Sequence, residues 1–174
     1  VRVHDADYVR SLQEKCSQLP ATSDVTPSQG ACLDTDTRLC ANSLDAALGG
    51  CGAACEAIDL VATNRAQNVF VACRPPGHHA GPRGAVACFR HFWRSPDMCS
   101  CGFCLLNTAA VAGAYARYRY GRPRAVPEQS KILRKVAIID FDVHHGNGTE
   151  EIVKSLKPHK VQKPLPDSWP AEFT

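Results

Sequence analysis

The sequence predicts an α/β fold, and three observations carry that reading. Two short apolar runs, 68–73 (Asn-Val-Phe-Val-Ala-Cys) and 135–141 (Lys-Val-Ala-Ile-Ile-Asp-Phe), read as buried strands. An Ala-rich helical pattern lies between them, so strand, helix and strand follow one another. Strands that are apolar throughout are typical of parallel sheets covered on both faces. Polar, chemistry-bearing residues follow each run directly, and in open parallel sheets ligands bind beyond the carboxyl ends of the strands.

Each element has a local reason. Residues 5–17 predict a short helix, with Asp5 placed to cap it and Tyr8, Val9 and Leu12 at helical spacing. Residues 18–37 are rich in Ser, Thr, Pro, Gly and Asp and read as loop. From 43 to about 63, Leu44, Ala47, Leu48, Cys51, Cys55, Ile58 and Val61 recur every three to four positions, an amphipathic helix with Ser43 as its cap. Gly49, Gly50 and Gly52 weaken its middle unless another element packs close there. Pro75, Pro76 and Gly77 stop the first strand, and 81–100 reads as an extended surface loop. Residues 107–118 begin with Asn107 and Thr108 and form the Ala-rich helix, ended by Gly121 and Pro123. A polar connection (122–134) leads to the second strand. Residues 150–156 predict a short helix, and 157–174, with four prolines, an irregular tail.

Composition excludes several classes. With 174 residues, 44% hydrophobic, 21% charged and a formal net charge of +3, the chain is too apolar and too weakly charged to be disordered throughout. At that length one domain buries roughly two thirds of its unfolded surface. No run of about 18 apolar residues predicts a membrane span. Lys and Arg are spread along the chain, so no direct nucleic-acid contact is expected, and Arg117, Arg119, Arg122 and Arg124 read as a solvated helix end. The ten cysteines fit a reducing compartment better than a disulfide framework, because Cys51, Cys55 and Cys73 lie in apolar, core-like segments. The C-x-x-C of Cys101 and Cys104 lacks the second ligand pair of a structural zinc site. The chain opens at Val1 on a segment that already reads as folded, the expectation for a stretch of something longer.

Two constellations carry chemistry. In Asp140-Phe141-Asp142-Val143-His144-His145-Gly146-Asn147-Gly148, the alternation of a strand puts Asp140, Asp142 and His144 on one side. Carboxylate oxygen and imidazole nitrogen together suit Zn²⁺ or Fe²⁺. In Arg74-Pro75-Pro76-Gly77-His78-His79-Ala80, adjacent histidines sit on a turn whose prolines fix the backbone. Two strand ends that both carry His-His point to a cation-activated water with histidine acid–base partners. Each histidine needs a group on its far nitrogen to set its tautomer, and Asp140 and Asn147 are available. His4, His91 and His159 read as loop histidines.

These motifs, with Ser100-Cys101-Gly102-Phe103-Cys104-Leu105-Leu106-Asn107 between them, resemble the zinc-dependent histone deacetylase family. The likeness is to its class II branch and to the related acetylpolyamine amidohydrolases. Weaker likeness extends to Val3-His4-Asp5-Ala6-Asp7-Tyr8-Val9 and to Asp34-Thr35-Asp36-Thr37. The resemblance implies an arginase/deacetylase-like three-layer fold with a central parallel sheet, here incomplete. Residues 1–174 would be a partial catalytic domain, its N-terminal and C-terminal parts missing. It implies Asp142 and His144 as zinc ligands and His78 and His79 as the catalytic pair. Asp140 would support His78, with a K⁺ ion near it, and Asn147 would stand behind His79. Gly102 and Phe103 would wall the acyl-lysine tunnel, and Asp36 would hold the substrate backbone. A third zinc ligand and an oxyanion tyrosine or histidine have no matching motif after Thr149, so weak or absent activity of this portion is expected.

The implied partners are acetylated lysines of histones or other proteins and corepressor proteins. The implied compartments are nucleus and cytoplasm, and the implied role is regulation of chromatin and transcription. Three alternatives stay open at this point: an acetylpolyamine amidohydrolase, a non-catalytic deacetylase-like binding module, and a non-haem iron oxygenase.

Overall fold

The computed structural model describes residues 3–20, 31–34, 36–86, 101–122 and 130–156. The expectations for the 87–100 stretch with His91, for the 157–174 tail with His159, and for most of the first loop fall outside these residues. The element order is α1 (Ala6–Ser17), β1 (Ala31–Cys32), β2 (Arg38–Leu39), α2 (Ser43–Ala62), α3 (Thr108–Tyr120) and α4 (Asn147–Ser155). Among the described residues no helix is long and apolar enough to cross a membrane.

The helices form where periodicity predicts them, but their ends differ in detail. Asp5 stands at the N-cap of α1 without a side-chain cap bond, because its carboxylate accepts from Arg83 Nε at 2.7 Å instead. The cap position of α2 is Asn42, and Ser43 Oγ accepts from Cys40 N at 2.9 Å. Asn107 caps α3 as expected, its Oδ1 accepting from Ala110 N at 3.0 Å. The α4 helix starts three residues earlier than its apolar pattern predicts, at Asn147.

Of the three glycines in the middle of α2, Gly50 is the one that a neighbour approaches, whereas Gly49 and Gly52 face open space. A Cβ on Gly50 would stand 3.3 Å from Cys73 Sγ and 3.8 Å from Thr108 Oγ1, so the helix is narrow where its neighbours approach. Farther along, Asp59 of α2 accepts hydrogen bonds from Tyr115 at 3.0 Å and Tyr120 at 2.7 Å, which ties α2 to α3 with a carboxylate clamp. The core gathers Leu12 and Cys16 of α1, Leu39 of β2, Leu44, Ala47 and Cys51 of α2, and Leu105 and Leu106. Tyr8, Val9, Leu19, Leu33 and Val111 pack around it.

The two expected buried strands are where the structure departs from the sequence reading. Neither 68–73 nor 130–143 is paired as a strand, and the expected parallel sheet is not assembled among the described residues. Their sheet is the antiparallel pair β1–β2, with Ala31 opposite Leu39 and Cys32 opposite Arg38, β1 inside the 18–37 stretch that reads as loop and β2 directly after it. The apolar runs lie largely open: Phe70 is 91% exposed, Ile139 84%, Phe141 96% and Val143 92%.

The physical reason is that an apolar run becomes a buried strand only with a ladder partner and cover on both faces. Here one face has cover. A Cβ on Gly113 of α3 would lie 3.5 Å from Ile138 Cδ1 and 3.7 Å from Val136 Cγ1. Ile139, Phe141 and Val143, at alternate positions, have none. The segment is anchored instead by Lys131 N on Ala62 O and Leu133 N on Tyr120 O, both 2.8 Å.

Candidate active site

The two His-His motifs, 66 residues apart in sequence, meet. The turn after Pro75 and Pro76 closes with Ala80 N donating to Gly77 O at 3.0 Å. It presents both imidazoles side by side, with ring centres 4.1 Å apart and planes tilted by 48°. His78 Nδ1 lies 2.8 Å from Asp140 Oδ2. His79 Nδ1 lies 2.7 Å from Asn147 Oδ1. A carboxylate and an amide oxygen only accept, so both Nδ1 atoms carry the proton and donate it. The His144 ring stands edge-on to His79 at 5.9 Å.

Asp140 also accepts from Asp142 N at 3.1 Å. Burial pushes the Asp140 carboxyl upward, but the bonds from His78 and Asp142 N outweigh it and hold it below the ordinary carboxylate range. Asp142 is likewise held low, by the backbone N–H of His144 at 2.7 Å and its imidazole Nδ1 at 2.9 Å on the same oxygen. Gly146 lets this cluster close: a Cβ there would overlap Asp140 Oδ2 and stand 3.5 Å from His78 Nδ1. His145 turns away and meets Glu150 at 2.9 Å.

Gly102 lies flat against His79. Its φ is +52°, and a Cβ would overlap the imidazole ring. Phe103 follows at φ +66° with its ring half exposed. Cys101 and Cys104 on either side are buried free thiols, in line with a packing role around this turn.

Asp36 lies exposed on the β1–β2 loop, its carboxylate accepting from Thr37 Oγ1 at 3.0 Å. The better-connected carboxylate is Asp34. It accepts from Asp36 N at 3.1 Å, Thr37 N at 2.9 Å and Cys101 N at 2.7 Å. Thr37 Oγ1 in turn accepts from Phe103 N at 3.1 Å. Burial raises the Asp34 pKa, and these backbone donors bring it below the usual range. An aspartate that bonds amides two and three residues onward is a local turn signal, legible in Asp34-Thr35-Asp36-Thr37. Its reach to Cys101 is not legible there. Asn107, expected only as a helix start, is fully buried, and His4, expected as a loop histidine, bridges Gly81 O at 2.8 Å and Asn107 N at 2.9 Å.

Asp142 and His144 are adjacent and of the right donor chemistry for zinc. Among the described residues no group of three or more His, Cys, Asp or Glu side chains is arranged to hold a metal. Two donors are one fewer than the three protein ligands of a catalytic zinc. The set therefore fits part of such a site.

Paired imidazoles, each backed by an acceptor, beside a carboxylate–imidazole pair put acid–base groups and metal-type donors in one place. Comparison with known proteins makes this specific. Residues 1–162 match the histone deacetylase domain, and the chain belongs to the histone deacetylase family. It is 41% identical over 136 residues to Type-2 histone deacetylase 1 of Dictyostelium discoideum, covering 78% of this chain and 8% of that protein. It is 32% identical over 152 residues to a histone deacetylase-like amidohydrolase of Pseudomonas aeruginosa, covering 87% of this chain and 30% of that one. The crystal structure of the HDA15 HD domain superposes with a TM-score of 0.62 at 31% identity, over 89% of this chain and 34% of that domain. The chain thus spans 34% or less of each of these proteins, and its fold is that of the matching part of a deacetylase domain.

Proposed function

We propose that this chain carries the histidine-pair half of a zinc-dependent deacylase centre that hydrolyses the acetyl amide of acetyl-lysine in histones or other proteins. The observation behind it is the double relay His78–Asp140 and His79–Asn147, at 2.8 and 2.7 Å. The two relays differ in charge, and that difference assigns the roles. Asn147 is neutral, so His79 keeps Nδ1–H fixed and offers Nε2 as a lone pair for the proton of the attacking water. Asp140 is anionic and accepts from His78 Nδ1, so the His78 imidazole is oriented to face the charge that develops on the amide and to return a proton to the leaving amine. Asp142 and His144 would hold the zinc. When bound, the ion lowers the pKa of a coordinated water and polarises the amide carbonyl. The reading includes a K⁺ ion beside Asp140, supported only by the chemistry of that carboxylate.

Gly102 against His79 and the half-exposed Phe103 next in sequence would wall the acyl-lysine tunnel, and an aromatic face suits the apolar stem of an acyl-lysine. Asp36 offers an exposed acceptor for substrate backbone N–H groups. Acetylated lysines of histones or other proteins and corepressor proteins are the partners of this reading. Nucleus or cytoplasm are its compartments.

The test is deacetylation of an acetyl-lysine peptide by the full-length gene product. His79→Ala should lower kcat by about two to four orders of magnitude. Equal turnover by both proteins would sink the assignment. Likeness to a histone deacetylase-like amidohydrolase extends the reading to amides in general, and the resemblance of the motifs to acetylpolyamine amidohydrolases makes acetylated polyamines the second reading of the same site. The ratio of kcat/KM on acetylspermidine to that on acetyl-lysine peptide separates the two.

A further inference from the structure

Asn107 is completely buried, and the chemistry above makes no use of it. Every polar atom it has is nonetheless engaged. Its Oδ1 accepts from Ala110 N, and its carbonyl from Val111 N at 2.9 Å, both within α3. The other three bonds leave the helix. Nδ2 donates to Ala80 O at 3.2 Å and to Thr149 Oγ1 at 2.9 Å, and the backbone N–H donates to His4 Nε2. Ala80 directly follows His79. Thr149 lies in the first turn of α4, two residues after Asn147, and its own N–H donates to His78 O at 3.1 Å. One amide group therefore joins the backbone of the His78–His79 turn to the helix that carries the partner of His79.

Helix capping alone does not explain this residue. A cap needs an acceptor oxygen, which Ser, Thr or Asp supplies as well. The two Nδ2 donors are surplus to capping, and both point at the elements that form the histidine relay. We infer that Asn107 is a positioning residue for the histidine pair: its amide holds the 77–80 turn and α4 at one separation, so that His78–Asp140 and His79–Asn147 form together. The inference rests on the deacylase reading for its effect on rate, though not for its effect on the turn.

Asn107→Asp isolates the point. It keeps the cap acceptor and the side-chain size, and the Thr149 hydroxyl can reverse and donate to the new carboxylate. Ala80 O alone loses its donor and faces an oxygen. Amide exchange on the 174-residue chain should show the Ala80 N–H, bonded to Gly77 O, exchanging about tenfold faster, with α3 amides within about twofold of wild type. Equal acceleration in both places, or none, overturns the inference. Thr149→Val removes the second contact without touching the cap; it should accelerate Ala80 in the same direction, and it decides the matter if the first variant does not fold.

In the full-length gene product, Asn107→Asp should lower kcat about 10- to 100-fold with KM within about twofold. The deficit should shrink as pH falls, because a protonated carboxyl can again donate to Ala80 O. His4, on the backbone N–H, is the titratable side chain bonded to this residue among those described. An unchanged kcat at every pH overturns the inference. A wild-type protein without deacetylase activity sinks the deacylase reading instead, and the exchange comparison still decides the turn.

Discussion

The neighbourhood of α1, α2 and residues 101–108 and the extended segment 130–143 are built from similar apolar residues, yet only the first is closed. Leu12, Leu39, Leu105 and Leu106 are buried to within a few per cent, whereas Ile139, Phe141 and Val143 face outward. The difference is one of cover rather than composition. The helices and the 101–108 turn surround each other, while the extended segment meets α3 on one side only, through Val136 and Ile138. The candidate site straddles this boundary: His78 and His79 belong to the closed region, Asp140 arrives with the open one, and Asn147 with α4, which follows it. Hydrogen bonds to fixed imidazoles, not apolar burial, hold the acidic end of the open segment in place.

That contrast can be broken at its strongest point first. Leu12→Ala should destabilise the chain by about 2–5 kcal/mol, read as a lower midpoint in denaturant, because a fully enclosed side chain leaves a cavity. Phe141→Ala should change stability by no more than about 0.5 kcal/mol in the same assay, since it removes no contact of the kind Leu12 makes. A large loss at Phe141 would mean that the open face is covered in solution.

The boundary itself is probed by Gly146→Ala. The added methyl displaces the Asp140 carboxylate from His78, and deacetylase turnover of the full-length protein should fall about 10- to 100-fold while the denaturation midpoint moves little. Unchanged turnover would remove the His78–Asp140 relay from the mechanism.

The smallest effect concerns His4, which fastens the start of the chain to the closed region. Burial lowers its pKa from 6.5, against the Gly81 and Pro82 carbonyls and the Asp5 charge, which raise it. The neutral ring is the one that can accept from Asn107 N. A group whose folded pKa is depressed contributes its full stability above the unfolded value. Below pH 6.5 the unfolded chain takes up the proton first, so that stability is lost as pH falls through the folded pKa. Denaturation at pH 7.5 and 5.5 should show a larger drop for wild type than for His4→Gln, and equal drops would remove His4 from the pH response.

Much of the site was legible because its chemistry is local in sequence. Period-two spacing of Asp140, Asp142 and His144, and a proline-shaped turn before His78 and His79, mark residues that cannot serve a core. Helices α1, α2 and α3 were legible from periodicity, and the N-cap of α3 from Asn107-Thr108. The β1–β2 pair was not, since two-residue strands carry no pattern. The long-range bonds of Asp34 and Asn107 were not, since those partners lie 67 residues away at Cys101 and 27 and 42 residues away at Ala80 and Thr149.

By itself, the sequence determined which side chains bring acid–base and metal-donor chemistry, where the helices run and which family the chain resembles, because motif chemistry and helical periodicity are encoded within a few residues. Only the tertiary structure decided that His78 pairs with Asp140 and His79 with Asn147, that a buried amide joins their two loops, and that the apolar runs stand open on one face. Hydrogen-bond partners and burial depend on what the rest of the fold brings alongside, and no short stretch of sequence specifies its own neighbours.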